Sequence, residues 1–248
     1  SVILSTYNLP QALEKEIWGY SVQDDRDFEL VIADDGSTRE TAALVERLKR
    51  TTGLDIQHVW HEDAGFRKCK ILNRAIELAT GDYLIFSDGD CIPRADFLSC
   101  HRRLAAPQTV LSGGCLRLTA PVSESISVKD VVNGNCTNLG WLWRHGQRST
   151  RVILKVGSGS AVSGLLDRLT TSRPTFNGHN TSAGKEDIQR VNGFDERMRY
   201  GGLDRELGVR LKNLGLHCKQ VRHRAVCVHL WHDRPYESEN SWLRNDEI

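Results

Sequence analysis

Asp88-Gly89-Asp90 sets two carboxylates one residue apart, directly after the apolar run Tyr83-Leu84-Ile85-Phe86. Acids at that spacing can face one hard cation: Mg²⁺ and Mn²⁺ prefer oxygen ligands and are often shared between a few carboxylates and a substrate's phosphates. A cation held there would neutralise charge on a departing diphosphate. An isolated DxD is common, and the plain alternative is a polar turn capping a helix from Pro93. Asp34-Asp35-Gly36-Ser37 also follows an apolar run. A carboxylate there could accept a hydrogen bond from a base or ribose, although Ser37 would cap the next helix without either acid. Arg67, Lys68 and Lys70 could hold phosphate oxygens through charge-assisted bonds, and a solvated basic face accounts for them equally well. Gly201-Gly202-Leu203-Asp204 leads into a helical pattern. The glycines permit close backbone approach to a ligand. An Asp at a helix start is kept ionised by the dipole, which suits a general base for a hydroxyl, while N-capping is its commoner use. His229 could complete a metal shell, as could His232. With Cys227 they suggest zinc, but no CxxC or second His/Cys pair accompanies them, which argues against a structural zinc site.

These residues need a scaffold that gathers them. Short apolar runs at Val2–Leu4, Glu29–Ala33, Ile56–Trp60 and Tyr83–Phe86 read as strands. Between them lie helical patterns: one from a Ser37/Glu40 capping box to about Arg50, another through Ile71, Leu72, Ala75, Leu78 and Ala79 and stopped at Gly81. Alternation of this kind predicts an α/β fold with a doubly wound, mostly parallel sheet. Ligands of such sheets bind at the carboxyl ends of the strands. Ser5-Thr6-Tyr7-Asn8, Asp34-Asp35 and Asp88-Gly89-Asp90 would therefore share one edge. Residues 119–178, rich in Ser, Gly, Asn and Thr, read as loops and irregular helix around Trp141 and Trp143, which would either fill a core or stack on a ligand. Order returns at 185–191, in a helix from Asp204 to Leu214, and in a last strand at 225–228.

The 248 residues carry 33 Lys and Arg against 32 Asp and Glu. That balance gives no sign of a nucleic-acid partner or an acidic tail. Seven dispersed cysteines with no CxxC pair point to reduced thiols in a cytosolic setting. No apolar run reaches the roughly 18 residues of a membrane span, which leaves peripheral contact with a membrane open.

Taken in order, six segments resemble the family 2 glycosyltransferases of the GT-A fold over nearly the whole chain. They are Val2–Asn8, Val31–Ser37, Ile71–Ile76, Gly81–Asp90, Val191–Glu196 and Gly201–Leu207. The resemblance implies a single GT-A domain over 1–248, with a nucleotide-sugar-binding half (1–115) and a less regular acceptor-binding half carrying the base (116–248). It implies an inverting transferase that moves a sugar from a nucleotide-diphosphate sugar, by resemblance a UDP-sugar, to a hydroxyl of a glycan acceptor in polysaccharide or surface-glycan synthesis. The setting would be bacterial and cytoplasmic, at or near the inner face of the membrane. By position, Ser5, Tyr7, Asp35, Arg67, Asp88 and Asn180 would bind the nucleotide sugar, Asp90 and His229 a divalent Mn²⁺ or Mg²⁺, and Asp204 would be the catalytic base. Leu203 stands where relatives of the galactosyl type have Glu, so the acceptor contact of that Glu is missing or supplied elsewhere. The rival readings are a sugar-phosphate nucleotidyltransferase, whose Gly-rich basic loop after the first strand is absent here, and a non-catalytic nucleotide-sugar-binding module.

Overall fold

A computed structural model describes residues 1–157, 160–233 and 245. Five strands with four helices among them open the chain: β1 (Val2–Thr6), α1 (Pro10–Tyr20), β2 (Leu30–Asp34), α2 (Arg39–Thr52), β3 (Ile56–Trp60), α3 (Lys68–Leu78), β4 (Tyr83–Asp88), β5 (Cys91–Pro93) and α4 (Phe97–Leu104). There follow β6 (Thr109–Ser112) and β7 (Gly114–Arg117), then a run of short helices, α5 (Ala120–Ser125), α6 (Val128–Val132), α7 (Leu139–Arg144), α8 (Thr150–Val156) and α9 (Ser160–Leu169). The chain continues through β8 (Thr181–Gly184), α10 (Lys185–Arg190), α11 (Leu203–Asn213), β9 (His217–Gln220) and β10 (Val226–His229).

The central sheet runs β3-β2-β1-β4-β8-β6-β9. The pairs β1–β2, β2–β3, β1–β4 and β6–β9 are parallel, and β8 is antiparallel to both its neighbours. Strands β1 and β2 are buried along their whole length, as expected of parallel strands covered on both faces. Alternate residues feed opposite cores. Ile3, Val31, Ala33, Leu84 and Phe86 pack against α3, α10 and α11. Val2, Leu4, Leu30, Ile32 and Ile85 pack against α1, α2 and α4. A second sheet, β5-β10-β7, covers a third core with the short helices between β7 and β8.

The mostly parallel sheet is as the sequence predicts, and several local expectations are corrected. Ser37 caps nothing: its hydroxyl accepts from the Asn8 N–H at 2.9 Å, and Thr38 takes the N-cap position of α2 without a side-chain bond. Helix α3 ends at Leu78, before Gly81. No helix starts at Pro93, which closes strand β5. Strands β5 to β9 were not expected because they are three or four residues long, too short to show a period. β8 reads Thr-Ser-Ala-Gly and is nevertheless buried, through hydrogen bonding and not through apolar patterning. The expected boundary at 115/116 falls inside β7, and β8 and β9 complete the central sheet from the later half. Trp141 and Trp143 divide: Trp141 is buried and stacked on His145 at 3.7 Å, while Trp143 is exposed. All seven cysteines are free thiols.

A buried polar chain joins the two sheets. Asn180 Nδ2 donates to the carbonyls of Gly114 and Ala225, so its Oδ1 must accept from His101 Nε2, 2.9 Å away. His101 Nδ1 then accepts from Ser182 Oγ (2.7 Å), which in turn accepts from the Tyr83 hydroxyl (2.8 Å). These are the directions of a neutral ring protonated at Nε2. Burial pushes its pKa down to about 4, against the opposing hydrogen bond to Asn180. A histidine with a depressed native pKa is protonated first in the unfolded chain. Its contribution is therefore complete above pH 6.5 and is lost as pH falls toward 4. From this residue alone, stability is expected to be about 2 kcal/mol lower at pH 5 than at pH 7. Urea unfolding at both pH values should show that difference shrink by about this amount in His101→Gln; an unchanged difference would count against the neutral assignment.

Candidate active site

The strand ends of β1, β2 and β4, with the start of α11 and the end of β10, enclose a cleft of about 600 Å³. Ser5 and Asp88 are register partners at the ends of β1 and β4, and Ser5 Oγ donates to Asp88 Oδ1 at 2.7 Å. The Gly89 N–H donates to the Ser5 carbonyl at 2.7 Å. A Cβ on Gly89 would sit 3.0 Å from that carbonyl and 3.1 Å from Thr6 Oγ1, so a residue without a side chain lets the turn close on β1 and separate the two acids.

The two acids then have different neighbours. Asp88 Oδ1 accepts from Lys68 Nζ at 2.6 Å, the first residue of α3. Burial works against ionisation of Asp88, but the ammonium of Lys68 prevails and holds the carboxyl well below the usual carboxylate range. Burial likewise opposes the charge on Lys68, and Asp88 and Asp204 overcome it, so the ammonium stays protonated.

Asp90 faces the end of β10. Its Oδ2 lies 2.8 Å from His232 Nε2, and its Oδ1 lies 3.6 Å from His229 Nε2. The other nitrogens of both rings are committed: His229 Nδ1 donates to the Leu230 carbonyl and His232 Nδ1 to the Asp233 carbonyl, each at 2.7 Å. A carbonyl only accepts, so each Nδ1 carries a hydrogen and each Nε2 is turned toward the Asp90 carboxylate. Two imidazole nitrogens and a carboxylate at these distances make a donor set that fits a divalent metal. Two imidazole nitrogens with one carboxylate suit Mn²⁺ better than Mg²⁺, which favours oxygen. Cys91 lies in the same cluster. Burial pushes its thiol pKa well up, and its Sγ donates to Asp90 Oδ1 at 3.3 Å, so it stays a thiol and does not fit a hard-ion ligand.

Asp204 stands across the cleft as the second residue of α11. Gly201 and Gly202 precede it with φ of 99° and 82°, left-handed conformations that glycine adopts without strain. Gly202 holds the N-cap position, so Asp204 does not cap the helix. Its Oδ1 is buried with no hydrogen-bond partner among the described residues. Burial raises its pKa, with Lys68 opposing and Asp88 adding to the rise. The approach to this helix is tied down. Asn73 on α3 exchanges hydrogen bonds with both backbone groups of Phe194, and an Arg199 Nη donates to the Phe66 carbonyl at 2.7 Å. Phe66 and Tyr200 meet edge to face at 6.0 Å on the cleft wall.

On the β2 side, Asp35 Oδ1 pairs with His61 Nε2 at 2.7 Å, and its Oδ2 accepts from the Arg67 N–H at 3.0 Å. Tyr7 lines the cleft, half-exposed, with its hydroxyl donating to Asp63 at 2.9 Å.

The cleft thus brings together Ser5, Tyr7, Asp35, Asp88, Asp90, Asp204 and His229 of the expected residues. Two expectations are corrected. The Arg67 guanidinium bonds the Glu62 carbonyl and does not line the cleft, and Lys68 takes the position facing it. Asn180 is fully buried in the joint between the sheets, not on the cleft wall. Its neighbour His179, in the turn before β8, lines the cleft instead. Burial lowers the His179 pKa to about 4, so it is neutral. Arg117, Tyr200 and His232 also line the wall. Arg117 and Tyr200 carried no sequence signal, because nothing in the pattern placed β7 or the 199–202 turn beside β4. Leu203 is buried in the core and lines the cleft with apolar surface where an acid was expected in galactosyl-type relatives.

The fold and the carboxylate-bearing strand ends define the GT-A class of glycosyltransferases. Residues 1–107 match the family described as "Glycosyl transferase family 2", and residues 168–233 match "N-terminal domain of galactosyltransferase". Among curated relatives, validoxylamine A glucosyltransferase of Streptomyces hygroscopicus subsp. jinggangensis is 28% identical over 98% of this chain and 58% of its own length. Chondroitin synthase of Pasteurella multocida is 23% identical over 85% of this chain and 22% of its own. The chain therefore spans little more than half of the first relative. Two solved structures share the fold. The mannosyltransferase PcManGT from Pyrobaculum calidifontis, in complex with GDP-Man and Mn²⁺, gives a TM-score of 0.62 at 23% identity, covering 98% of this chain and 59% of that one. S. aureus TarS 1–349, in complex with UDP-GlcNAc, gives 0.64 at 16%, covering 95% and 59%.

Proposed function

We propose that residues 1–248 form one GT-A domain of a metal-dependent, inverting glycosyltransferase, which moves a sugar from a nucleoside diphosphate sugar to a glycan hydroxyl. The observation that carries this reading is the opposition of two unlike acidic sites across one cleft: Asp90 with two metal-competent imidazoles on one side, and the buried Oδ1 of Asp204, without a hydrogen-bond partner among the described residues, on the other. Asp90, His229 and His232 would hold Mn²⁺, which when bound neutralises charge on the leaving diphosphate. Asp204 removes the proton of the acceptor hydroxyl. That oxygen forms a bond to the anomeric carbon as the bond to the diphosphate oxygen breaks, inverting the configuration. Lys68 supplies a fixed positive charge beside the phosphates, in the role first assigned to Arg67. Its salt bridge to Asp88 orients it before substrate arrives, so little reorganisation is required during reaction. Tyr7 packs against the base, and Asp35, held by His61 and the Arg67 N–H, accepts from it. UDP is the proposed nucleotide, and a growing surface polysaccharide the proposed acceptor. The proposed location is the cytoplasm, at or near the inner face of a membrane. Among the described residues no helix is long and apolar enough to cross one.

Thermal-shift measurements with a panel of nucleotide sugars, with and without Mn²⁺, test the class. Stabilisation that requires both donor and metal, followed by release of nucleoside diphosphate on adding acceptor, is the expected result. Release of pyrophosphate instead would make the chain a nucleotidyltransferase.

A further inference from the structure

Helix α9 is built inside out. Its inward face is polar: Ser163 and Asp167 are buried, at 2% and 5% exposure. Its outward face carries Val162, Leu165 and Leu169, spaced three and four residues apart and so on one side of the helix, at 54%, 56% and 68% exposure. The orientation is not free to reverse. Asp167 Oδ2 accepts from Arg224 Nε at 2.6 Å, and Oδ1 accepts from the His223 N–H at 2.9 Å, which fixes the polar face against the turn before β10. The same region exposes Ile153 and Leu154 on α8, and Trp143. Apolar surface held outward by a buried ion pair marks an interaction site.

Charge identifies the occupant. Residues 144–173 contain six Lys and Arg and one acid, Asp167, a net +5 in a chain whose total is +1. Arg144, Arg148, Arg151, Arg168 and Arg173 are exposed, and the one acid is turned inward. Leucines flanked by arginines on a short surface helix match the chemistry of an interfacial segment on an anionic bilayer: the apolar face enters the headgroup boundary and the cations meet lipid phosphates. We infer that α8 and α9 form a peripheral docking surface for an anionic membrane. The location proposed above supplies such a membrane. The chemistry of the cleft is not involved, so failure here leaves the transfer reading untouched.

Vesicle co-sedimentation of the protein tests this. Binding to phosphatidylglycerol–phosphatidylcholine vesicles, absent with phosphatidylcholine alone and weakened by salt, is expected. Leu165→Ser/Leu169→Ser should weaken it at least about tenfold, and Arg151→Gln and Arg168→Gln by about fivefold each. These side chains are exposed, so thermal unfolding should be little changed, which separates lost docking from lost fold. No binding to anionic vesicles, equal binding to neutral ones, or binding indifferent to the leucine pair overturns the inference. So does a dimer that the leucine variant dissociates, which would assign the face to a second copy of the chain.

Discussion

Asp204→Asn is expected to lower the turnover number for sugar transfer by about a thousandfold or more while the dissociation constant of the donor stays within about threefold. The amide is nearly isosteric and keeps the backbone of α11, whose N-cap is Gly202 and not this side chain. What it removes is the charge and basicity of the carboxylate, whose buried Oδ1 has no partner among the described residues and would receive the acceptor's proton. An intramolecular carboxylate with that freedom is rare, because a buried acceptor left unpaired costs stability. Retention here makes sense if a substrate hydroxyl completes it. The pH profile gives a second readout. Burial and the charge of Asp88 raise the Asp204 pKa, with Lys68 opposing, and only the ionised form is a base. Turnover in the unsubstituted protein should therefore rise with pH through a value above the ordinary Asp range, and the residual rate of the variant should lack that limb. Near-normal turnover by Asp204→Asn would remove it from the role of base.

Asp90→Asn is expected to abolish the Mn²⁺-dependent part of donor stabilisation and to reduce kcat/KM by about a hundredfold or more. Of the two acids in the Asp88-Gly89-Asp90 turn, Asp88 is already occupied by Lys68 and Ser5. Asp90 brings the negative charge to the two imidazoles, whose Nδ1 hydrogens are held by backbone carbonyls. Isothermal titration with Mn²⁺ in the presence of nucleoside diphosphate separates the contributions. His229→Gln and His232→Gln should each weaken the metal by about 10- to 100-fold, whereas Asp90→Asn should leave no measurable site. Unaltered Mn²⁺ affinity in Asp90→Asn would shift the site to Asp88 and break the division between the two acids.

Much of this molecule is legible in its sequence because the early strands are continuous apolar runs. Val2–Leu4, Leu30–Ala33 and Leu84–Phe86 must be buried on both faces, which demands helices on both sides and a parallel sheet, and a parallel sheet puts Ser5, Asp35 and Asp88 on one edge. Gly89 marked where the turn had to close on β1, and Gly201 and Gly202 where the backbone passes through positive φ into α11. Sequence alone thus determined the class of fold and the acids of the cleft.

It did not determine which cation faces the phosphates or what Asn180 does. Arg67 and Lys68 are adjacent, and which one enters the cleft depends on where α3 begins, since neighbouring helical residues point about 100° apart. The helix begins at Lys68, so its ammonium reaches Asp88 and the Arg67 guanidinium turns away. Asn180 and His179 are exchanged for the same kind of reason. The carboxamide is drawn inward by two backbone carbonyls from strands far away in the chain, and His179 is left on the cleft side. Partners at long sequence separation leave no periodic trace. The chain's periodicity records which face of an element is apolar, and only the packed structure decides which polar side chain meets which partner.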